Sequence, residues 1–189
     1  MAVTQFSNTA KPHALTLGCT GMLVGTALGL EADGYAVSYL SRSGTLPNSS
    51  SGTAYTCDWE NPASLTNAVR NAIEEHGIPN LALAWSHTVG PVLDLAKQLS
   101  NTHHTVQLHH VLGSRVQDPT RNNALGRIKQ EFTDLPGIAW HAICLGFVRG
   151  EAGPRWLTHE EISEGALSAV RLKSPVYTIG QTAPWKDRP

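Results

Sequence analysis

The stretch HALTLGCTGMLVG, residues 13–25, decides the fold of this chain because it joins a predicted strand to a predicted helix through a glycine-rich turn. Its first five residues form a run of strand length. Glycines follow at Gly18, Gly21 and Gly25, and a helix of small residues is expected to continue to Gly34, a residue type that commonly ends helices. A strand, a glycine turn and a helix in this order begin a βαβ unit.

Each glycine of the turn has a predicted role. Gly18 makes the tight turn, Gly21 lets the backbone approach a pyrophosphate, and Gly25 lets the helix pack against the sheet. The N–H groups at the helix start and the positive end of the helix dipole suit phosphate, so the turn predicts a dinucleotide site. The alternative is that the glycines serve only turning and packing. The predicted site also includes the other residues of the turn: Cys19, Thr20, Met22 and Leu23.

Strand-like and helix-like segments alternate beyond the turn, a pattern that predicts a parallel sheet with helices on both faces. The fold class is therefore α/β, a single doubly wound Rossmann domain with a seven-stranded, mainly parallel sheet. The domain is expected to span residues 13–189 after a polar tail over residues 1–12, and to contain seven strands and six helices. The expected strands are residues 13–17, 36–40, 54–57, 81–85, 106–112, 138–144 and 176–179.

Two helices have well-marked ends. Asn61 is placed as the N-cap of one, Pro62 stands at its first position, and Gly77 closes it after a run of apolar residues at helical spacing. Thr158 and Glu161 have the spacing of a capping box before the last helix. Further helices are expected over residues 91–100 and 122–135.

Composition excludes several classes of protein. The chain has 189 residues, of which 41% are apolar and 15% charged, and 14 basic residues balance 15 acidic ones to a net charge of −1. This balance gives no electrostatic basis for binding nucleic acid or an anionic membrane. The N-terminus lacks the pattern of a signal peptide, and no apolar run approaches the roughly 18 residues of a membrane span. We therefore expect a soluble protein.

The cysteines indicate a reducing compartment. Cys19, Cys57 and Cys144 are odd in number and widely spaced, so neither a disulfide framework nor a thiolate zinc site is predicted. A cytoplasmic location fits this usage best.

The end of the second strand indicates which nicotinamide cofactor is used. Discrimination is expected about 20 residues beyond the glycines, where this chain has Ser41, Arg42 and Ser43 instead of a carboxylate. A guanidinium there binds a 2′-phosphate, which favours NADP(H) over NAD(H). The alternative for Arg42 is a solvated loop charge. Asp58, followed by Trp59, is a candidate to bond the adenine amino group or to cap the next helix.

These residues resemble the short-chain dehydrogenase/reductase superfamily, and specifically its atypical, truncated members. The resemblance covers nearly the whole chain and rests on residues 18–25, Arg42, Asp58 and residues 112–114 after the fifth strand. Residues 145–163 are also similar to small bacterial proteins labelled only as short-chain dehydrogenases. The resemblance implies an oxidoreductase and makes a homodimer or homotetramer plausible.

The resemblance also implies positions around the nicotinamide. Ser86 and His87 stand where the family lines the cofactor with an Asn-Asn-Ala-Gly turn, which this chain does not contain. The segment that contacts the nicotinamide carboxamide in the family corresponds to four residues here: Leu145, Gly146, Phe147 and Val148.

The tyrosine-lysine pair on which the superfamily usually relies for carbonyl reduction, Tyr-x-x-x-Lys, is absent. None of the four tyrosines is followed by lysine four positions later. The nearest match, residues 125–129, keeps Lys129 but places Leu125 where the phenol should be. Ser114 falls near the family's catalytic serine. Ser114 and Lys129 are therefore catalytic candidates, with backbone bonding at the strand end and simple solvent exposure as their alternatives.

His87 is the strongest candidate for a replacement proton donor. It follows the fourth strand at its carboxyl end, where parallel-sheet folds place ligands, and imidazole titrates near neutral pH. The alternative is a histidine that is only hydrogen-bonded beside the cofactor. His141, within the sixth strand, is expected to be a hydrogen-bonded core or interface residue.

Metal binding is not predicted, although four histidines cluster in sequence. Neighbouring residues of a strand point to opposite faces, and six residues span about 20 Å, so they cannot share one ion. The histidines concerned are His103, His104, His109 and His110.

Two hypotheses of function follow. The first is an NADP(H)-dependent oxidoreductase that moves hydride to or from a small organic carbonyl, imine or activated double bond, with Arg155 and Trp156 as a substrate lip after the sixth strand. A protonated or strongly polarised acceptor is favoured because it needs less of an enzyme acid. The second is a non-catalytic NADP(H)-binding or redox-sensing protein, which the missing pair supports. An ordinary surface loop is the alternative for the lip.

Overall fold

A parallel seven-stranded sheet forms the centre of the computed structural model, which describes residues 11–151 and 153–189. The strand order is β3-β2-β1-β4-β5-β6-β9, and every neighbouring pair in this sheet is parallel. The strands of this sheet are β1 (His13–Leu17), β2 (Ala36–Ser41), β3 (Thr53–Thr56), β4 (Leu81–Trp85), β5 (Val106–Leu112), β6 (Ile138–Leu145) and β9 (Val176–Ile179).

Helices cover both faces of the sheet. α1 and α5 pack together on one face, while α2, α3 and α4 cover the other, and a separate apolar cluster fills each side. The strand order reverses between β1 and β4, the topological switch at which such sheets bind ligands. The helices are α1 (Val24–Ala32), α2 (Pro62–His76), α3 (Gly90–Leu99), α4 (Ala124–Thr133) and α5 (His159–Leu172).

The predicted helix ends are confirmed at α2 and α5. The side chain of Asn61 accepts hydrogen bonds from the amides of Ala63 and Ser64, and Pro62 opens α2. Thr158 and Glu161 exchange side-chain and backbone bonds in a capping box at α5. These local bonds satisfy amides that the first turn of a helix leaves free.

The sequence predicted one helix too many and did not predict two of the strands. The described residues form five α-helices and three short 3-10 turns, so the expected sixth helix is wrong. An antiparallel hairpin, β7 (Phe147–Gly150) with β8 (Gly153–Trp156), lies outside the main sheet. Its strands are short and largely exposed, so they lack an apolar run such as the one that marked residues 81–85. The predicted tail of residues 1–12 falls mostly outside the described residues.

Several histidines are part of the core. His13, His109, His110 and His141 are each at most 8% exposed. His141 is hydrogen-bonded as expected, because its ring nitrogens lie 3.0 Å from the carbonyl oxygen of Ser174 and 2.8 Å from Oε1 of Gln107. His109 stacks on His141 with ring centroids 4.7 Å apart. Both ring nitrogens of His109 are buried without a hydrogen-bond partner.

The three cysteines are buried as free thiols. Burial raises the pKa of Cys57 and of Cys144 to about 11. Thiols of such high pKa are poor nucleophiles at neutral pH, and the cysteines serve packing. None of the helices in the described part of the chain combines the length and apolar character that a membrane span requires.

Candidate functional site

The turn after β1 requires glycine at its first position. Gly18 has a φ of +71°, a left-handed conformation that other residues rarely adopt. A Cβ at this position would overlap the carbonyl oxygen of Trp85 at the end of β4. The absence of a side chain at Gly18 therefore lets the turn pass close to the backbone at the end of β4, as the predicted tight turn requires.

The next glycine faces open space. A Cβ built on Gly21 meets no heavy atom within 4 Å, and the residue is exposed. No side chain caps the start of α1, which leaves the amides of its first turn free of side-chain partners. A helix start without a side-chain cap and an open approach at Gly21 suit a pyrophosphate group, so the turn fits a dinucleotide.

The third glycine has a different role from the predicted one. A Cβ on Gly25 would lie 3.0 Å from the Cβ of Ser163 in α5, so this glycine lets two helices approach each other. Ser163 also donates its hydroxyl to the carbonyl oxygen of Met22 at 2.9 Å, and Thr26 donates to the carbonyl oxygen of Ser163 at 2.9 Å. The expectation that Gly25 serves helix-to-sheet packing is therefore wrong.

The remaining residues of the turn divide between surface and core. Thr20 is exposed and lines a groove beside the turn. Cys19 and Leu23 are fully buried, and the thiol of Cys19 donates to the carbonyl oxygens of Leu17 and Leu83. The side chains of Cys19 and Leu23 therefore belong to the core and not to a ligand-binding surface.

The groove beside the turn lies at the carboxyl ends of the strands and has a volume of about 280 Å³. Arg42 and Trp59, both predicted, line it, with the guanidinium carbon 5.4 Å from the centre of the indole ring. Glu60 also lines the groove and was missed, because a lone glutamate at a helix start gives no sequence signal. The full lining is Gly18, Thr20, Arg42, Trp59, Glu60, Trp85, Ser86, His87 and Thr88.

Three predicted cofactor residues near this groove are engaged elsewhere. Ser41 is 3% exposed, and its hydroxyl accepts the amide of Gly44 and lies 3.4 Å from the hydroxyl of Ser43. The carboxylate of Asp58 accepts the amide of Glu60 at 3.2 Å, so it supports its own loop. The structure leaves Ser41, Ser43 and Asp58 outside the groove lining.

A larger cavity of about 650 Å³ adjoins the groove. The groove and the cavity share four lining residues: Trp85 at the end of β4, and Ser86, His87 and Thr88 of the loop that follows it. The two spaces therefore adjoin along this loop. Ser114, at the end of β5, lines the larger cavity, as does exposed His87. Its other lining residues are Val89, His110, Leu112, Gly113, Arg115, Val116, Arg121, Ala124 and Ile128.

His110 supplies a polar group to this otherwise apolar side of the cavity. The indole N–H of Trp140 donates to Nδ1 of His110 at 3.4 Å, and tryptophan acts only as a donor, so the proton of the neutral ring stands on Nε2. His110 is among the residues that line the cavity, although only 1% of its surface is exposed. Burial lowers the pKa of His110 to about 3. The ring is therefore a neutral N–H donor at physiological pH.

The sequence did not predict the role of His110 as a hydrogen-bond donor. Strand alternation indicates that His109 and His110 face opposite sides of the sheet, but it gives no sign of the Trp140 indole, which comes from the neighbouring strand 30 positions later. Phe132 of α4 packs against the same imidazole, with ring centroids 5.5 Å apart. Only the tertiary structure brings these rings together.

Other predicted site residues lie away from the cavity. Lys129 is exposed on α4 and does not line it, whereas neighbouring Ile128 does. Arg155 is paired with the carboxylate of Glu161 through two bonds of 2.8 Å, which occupies its guanidinium. Phe147 is 1% exposed, and its backbone exchanges two hydrogen bonds with Gln181. Val148 pairs with Arg155 across the hairpin.

A small cavity of about 130 Å³ is lined by three further residues of the predicted site. Leu145, Gly146 and Trp156 line it together with Ser114, which also lines the 650 Å³ cavity. Trp156 is 47% exposed. Of the two residues of the predicted substrate lip, Trp156 lines this cavity and Arg155 does not.

Across residues 11–151 and 153–189, no group of three or more histidine, cysteine or acidic side chains is arranged to hold a metal ion. His109 and His110 point to opposite faces of β5, because one packs on His141 and the other on Phe132. The site is therefore built from the glycine turn, a groove that contains Arg42, and a neutral donor in a cavity.

Comparisons with known proteins agree with this architecture. No protein-family model matches the chain, and no curated protein does so either. Among solved structures, a double mutant of a Serratia marcescens short-chain dehydrogenase/reductase gives a TM-score of 0.71 at 15% identity, covering 92% of this chain and 97% of that one. A mutant actinorhodin polyketide ketoreductase with NADPH gives 0.68 at 14% identity, covering 90% and 96%.

The likeness extends to a third protein. Thermoplasma acidophilum aldohexose dehydrogenase in its ligand-free form has a TM-score of 0.52 at 12% identity, covering 73% of this chain and 67% of that one. Identities this low establish a common fold and not a common activity. The chain therefore has the doubly wound Rossmann fold of the short-chain dehydrogenases/reductases.

Proposed function

We infer that this protein is an NADP(H)-dependent oxidoreductase that transfers hydride to or from a small organic carbonyl, imine or activated double bond. The observation that carries this proposal is the continuity of the site. A groove that begins at an open glycine turn shares the loop 85–88 with a cavity of about 650 Å³. A dinucleotide in the groove would extend towards that cavity, which has the volume of a small-molecule site.

The groove supports a phosphate-bearing nucleotide. The uncapped amides of α1 would hold the pyrophosphate at Gly21, where a Cβ would meet only open space. Arg42, stacked over Trp59, would bind the 2′-phosphate of NADP(H) through charge-assisted bonds. Glu60 in the same groove would repel that phosphate if the two came close, so preference for NADP(H) depends on Arg42 prevailing.

The chain's own contribution to the chemistry comes from Ser114 and His110. When bound, the nicotinamide supplies or accepts the hydride. The Nε2–H of His110 and the hydroxyl of Ser114 would donate hydrogen bonds to the substrate heteroatom and polarise its bond to carbon. Because its pKa is lowered to about 3, His110 stabilises developing negative charge by hydrogen bonding and does not deliver a proton as imidazolium. The proton that the substrate heteroatom takes up on reduction would come from solvent by way of exposed His87 on the shared loop.

A second candidate is a protein that binds NADP(H) without turnover and signals its occupancy to a partner. The observation that favours it is the missing Tyr-x-x-x-Lys pair, together with the exposed position of Lys129 outside the cavity. A sensor does not need a hydrogen-bond donor for the reacting atom of a substrate. The neutral donor His110 therefore favours the enzyme over the sensor.

Nucleotide binding is tested at Gly21. Gly21→Val should leave the folded state intact because its side chain enters open space, yet it would occupy the path of the pyrophosphate. Gly90→Val is a matched control, since a Cβ there also meets nothing within 4 Å and the residue lines neither the groove nor the cavity. Calorimetry should detect NADPH binding in the wild type and in Gly90→Val, and none in Gly21→Val. Equal affinity in all three proteins would refute the proposed site.

Cofactor preference and turnover need separate measurements. Arg42→Ala should weaken NADPH binding by roughly ten- to hundredfold, the value of a charge-assisted bond, and leave NADH binding unchanged. Removing one preorganised donor with His110→Phe or Ser114→Ala should lower kcat on the order of a hundredfold while NADPH still binds. Bound NADPH with no oxidation by any carbonyl or imine tested would favour the sensor instead.

Assembly is a separate proposal. The resemblance that suggests the fold also suggests a homodimer or homotetramer, with a small-molecule substrate as the other partner. Light scattering coupled to size-exclusion chromatography would show this assembly as a mass two or four times the 20.3 kDa of the chain. A monomeric mass at micromolar concentration would contradict it.

A further inference from the structure

The charged residues that line the 650 Å³ cavity are all basic. Arg115 and Arg121 are exposed at its edge, and the lining contains no aspartate or glutamate. Among the ion pairs of the described residues, neither arginine takes part. The two guanidinium groups are therefore free to bind an anion that enters the cavity.

The loop that carries these arginines is held in place from α4. The guanidinium of Arg127 donates to the carbonyl oxygen of Asn122 at 2.7 Å and to that of Arg121 at 2.9 Å. Asn123 accepts the amide of Gly126 at 3.2 Å and fixes the start of the helix. Because its backbone is bonded to the helix, Arg121 is presented to the cavity from a defined position.

Asp118, the acidic residue between the two arginines in the chain, is engaged with its own turn. Asp118 accepts the amide and the hydroxyl of Thr120 at 2.9 and 2.7 Å. These bonds, with a smaller contribution from Arg188 and Arg121, hold the pKa of Asp118 below its usual range. Asp118 does not line the cavity, so no carboxylate in the lining offsets the charges of Arg115 and Arg121.

We propose that the substrate of this cavity carries a carboxylate, which Arg115 and Arg121 bind at the edge while the reducible carbonyl or imine faces the N–H of His110. Planar guanidinium groups match the geometry of a carboxylate. An uncharged donor at the buried end and cations at the open end distinguish the two ends of an oxo acid or an imino acid. The proposal rests on the function proposed above and specifies its substrate class.

The test compares acids with their uncharged esters. The probes are 2-oxobutanoate and 4-oxopentanoate, each beside its methyl ester, titrated into protein saturated with NADP⁺, or into protein alone if the nucleotide does not bind. At least one acid should bind roughly ten- to hundredfold more tightly than its ester, the value of a bond to a charged group. Arg115→Ala and Arg121→Ala should each reduce that preference.

The control is Arg70→Ala, since Arg70 is an exposed arginine of α2 that pairs with Glu74 away from the cavity. It should keep the full preference for the acid. Equal binding of acid and ester, a preference that survives in both cavity variants, or no binding of any acid at millimolar concentration would overturn the carboxylate proposal. A failure of NADPH to bind in calorimetry would instead refute the proposed function, and the acid-ester comparison would still be read on the protein alone.

Discussion

Replacement of His109 by leucine should make the protein less sensitive to acid. His109 is 1% exposed, and both of its ring nitrogens are buried without a partner. Burial is the largest cause that lowers its pKa to about 3, with smaller contributions from His141 and Lys173. The folded protein therefore keeps this ring neutral at pH values where the unfolded chain protonates it.

The sign follows from proton linkage. Below pH 6.5 the unfolded chain binds a proton at His109 and the folded protein does not, so the free energy of unfolding falls as the pH falls. At about 1.36 kcal/mol per pH unit, this residue costs about 2 kcal/mol of stability at pH 5 relative to neutral pH. His109→Leu removes that cost. His13 and His110, whose pKa values are also lowered, contribute equally to both proteins and cancel in the comparison.

The effect at neutral pH is smaller. Removing two unpaired buried nitrogens gains about 1–3 kcal/mol, and losing the stacking on His141 costs about 0.5–1.5 kcal/mol. The deciding quantity is therefore the difference between the two pH values and not the stability at either one.

Urea unfolding followed by tryptophan fluorescence at about pH 7.5 and about pH 5 measures this difference. His109→Leu should gain about 2 kcal/mol more over the wild type at the lower pH. His103→Leu, at an exposed position, is the control and should show the same change at both pH values. A stability gain for His109→Leu that does not depend on pH would refute the reasoning.

Three further predictions concern the folded framework. Thr158→Ala removes the capping-box acceptor of α5 and should lower the free energy of unfolding by about 1 kcal/mol, measured by urea unfolding. Gly18→Ala should lower the melting temperature and abolish NADPH binding, because its Cβ overlaps the carbonyl oxygen of Trp85; unchanged calorimetry would contradict this. Trp140→Phe removes the donor to Nδ1 of His110, so ¹⁵N spectra should show mixed tautomers in place of a single Nε2–H form.

Much of the fold could be predicted because its signals are local. Asn61 and Pro62 mark the start of α2. Thr158 and Glu161 mark the start of α5. These signals are local because a cap uses side chains within one turn of the amides that it satisfies. The central strand β4 is marked by a continuous apolar run, since both faces of a parallel sheet are covered. The hairpin β7–β8 lacks such a run and was missed.

The candidate site was predictable only where its residues follow strand ends. Four predicted residues lie within two positions of the end of a parallel strand, and all of them line the groove or the cavity: Gly18, Arg42, His87 and Ser114. The carboxyl ends of these strands meet at one edge of the sheet. Lys129 was proposed from its spacing within a motif, and its position outside the cavity depends on how α4 packs.

The sequence by itself determined the order of the seven main-sheet strands and the five α-helices, the glycine turn and the absence of a Tyr-x-x-x-Lys pair, because each depends on neighbouring residues or on residue identity alone. The tertiary structure decided which partners these residues meet. It set Gly25 against Ser163, paired Arg155 with Glu161, and placed the indole of Trp140 on His110. Such contacts join residues far apart in the chain, and their geometry follows from the packing of whole elements, which no local pattern encodes.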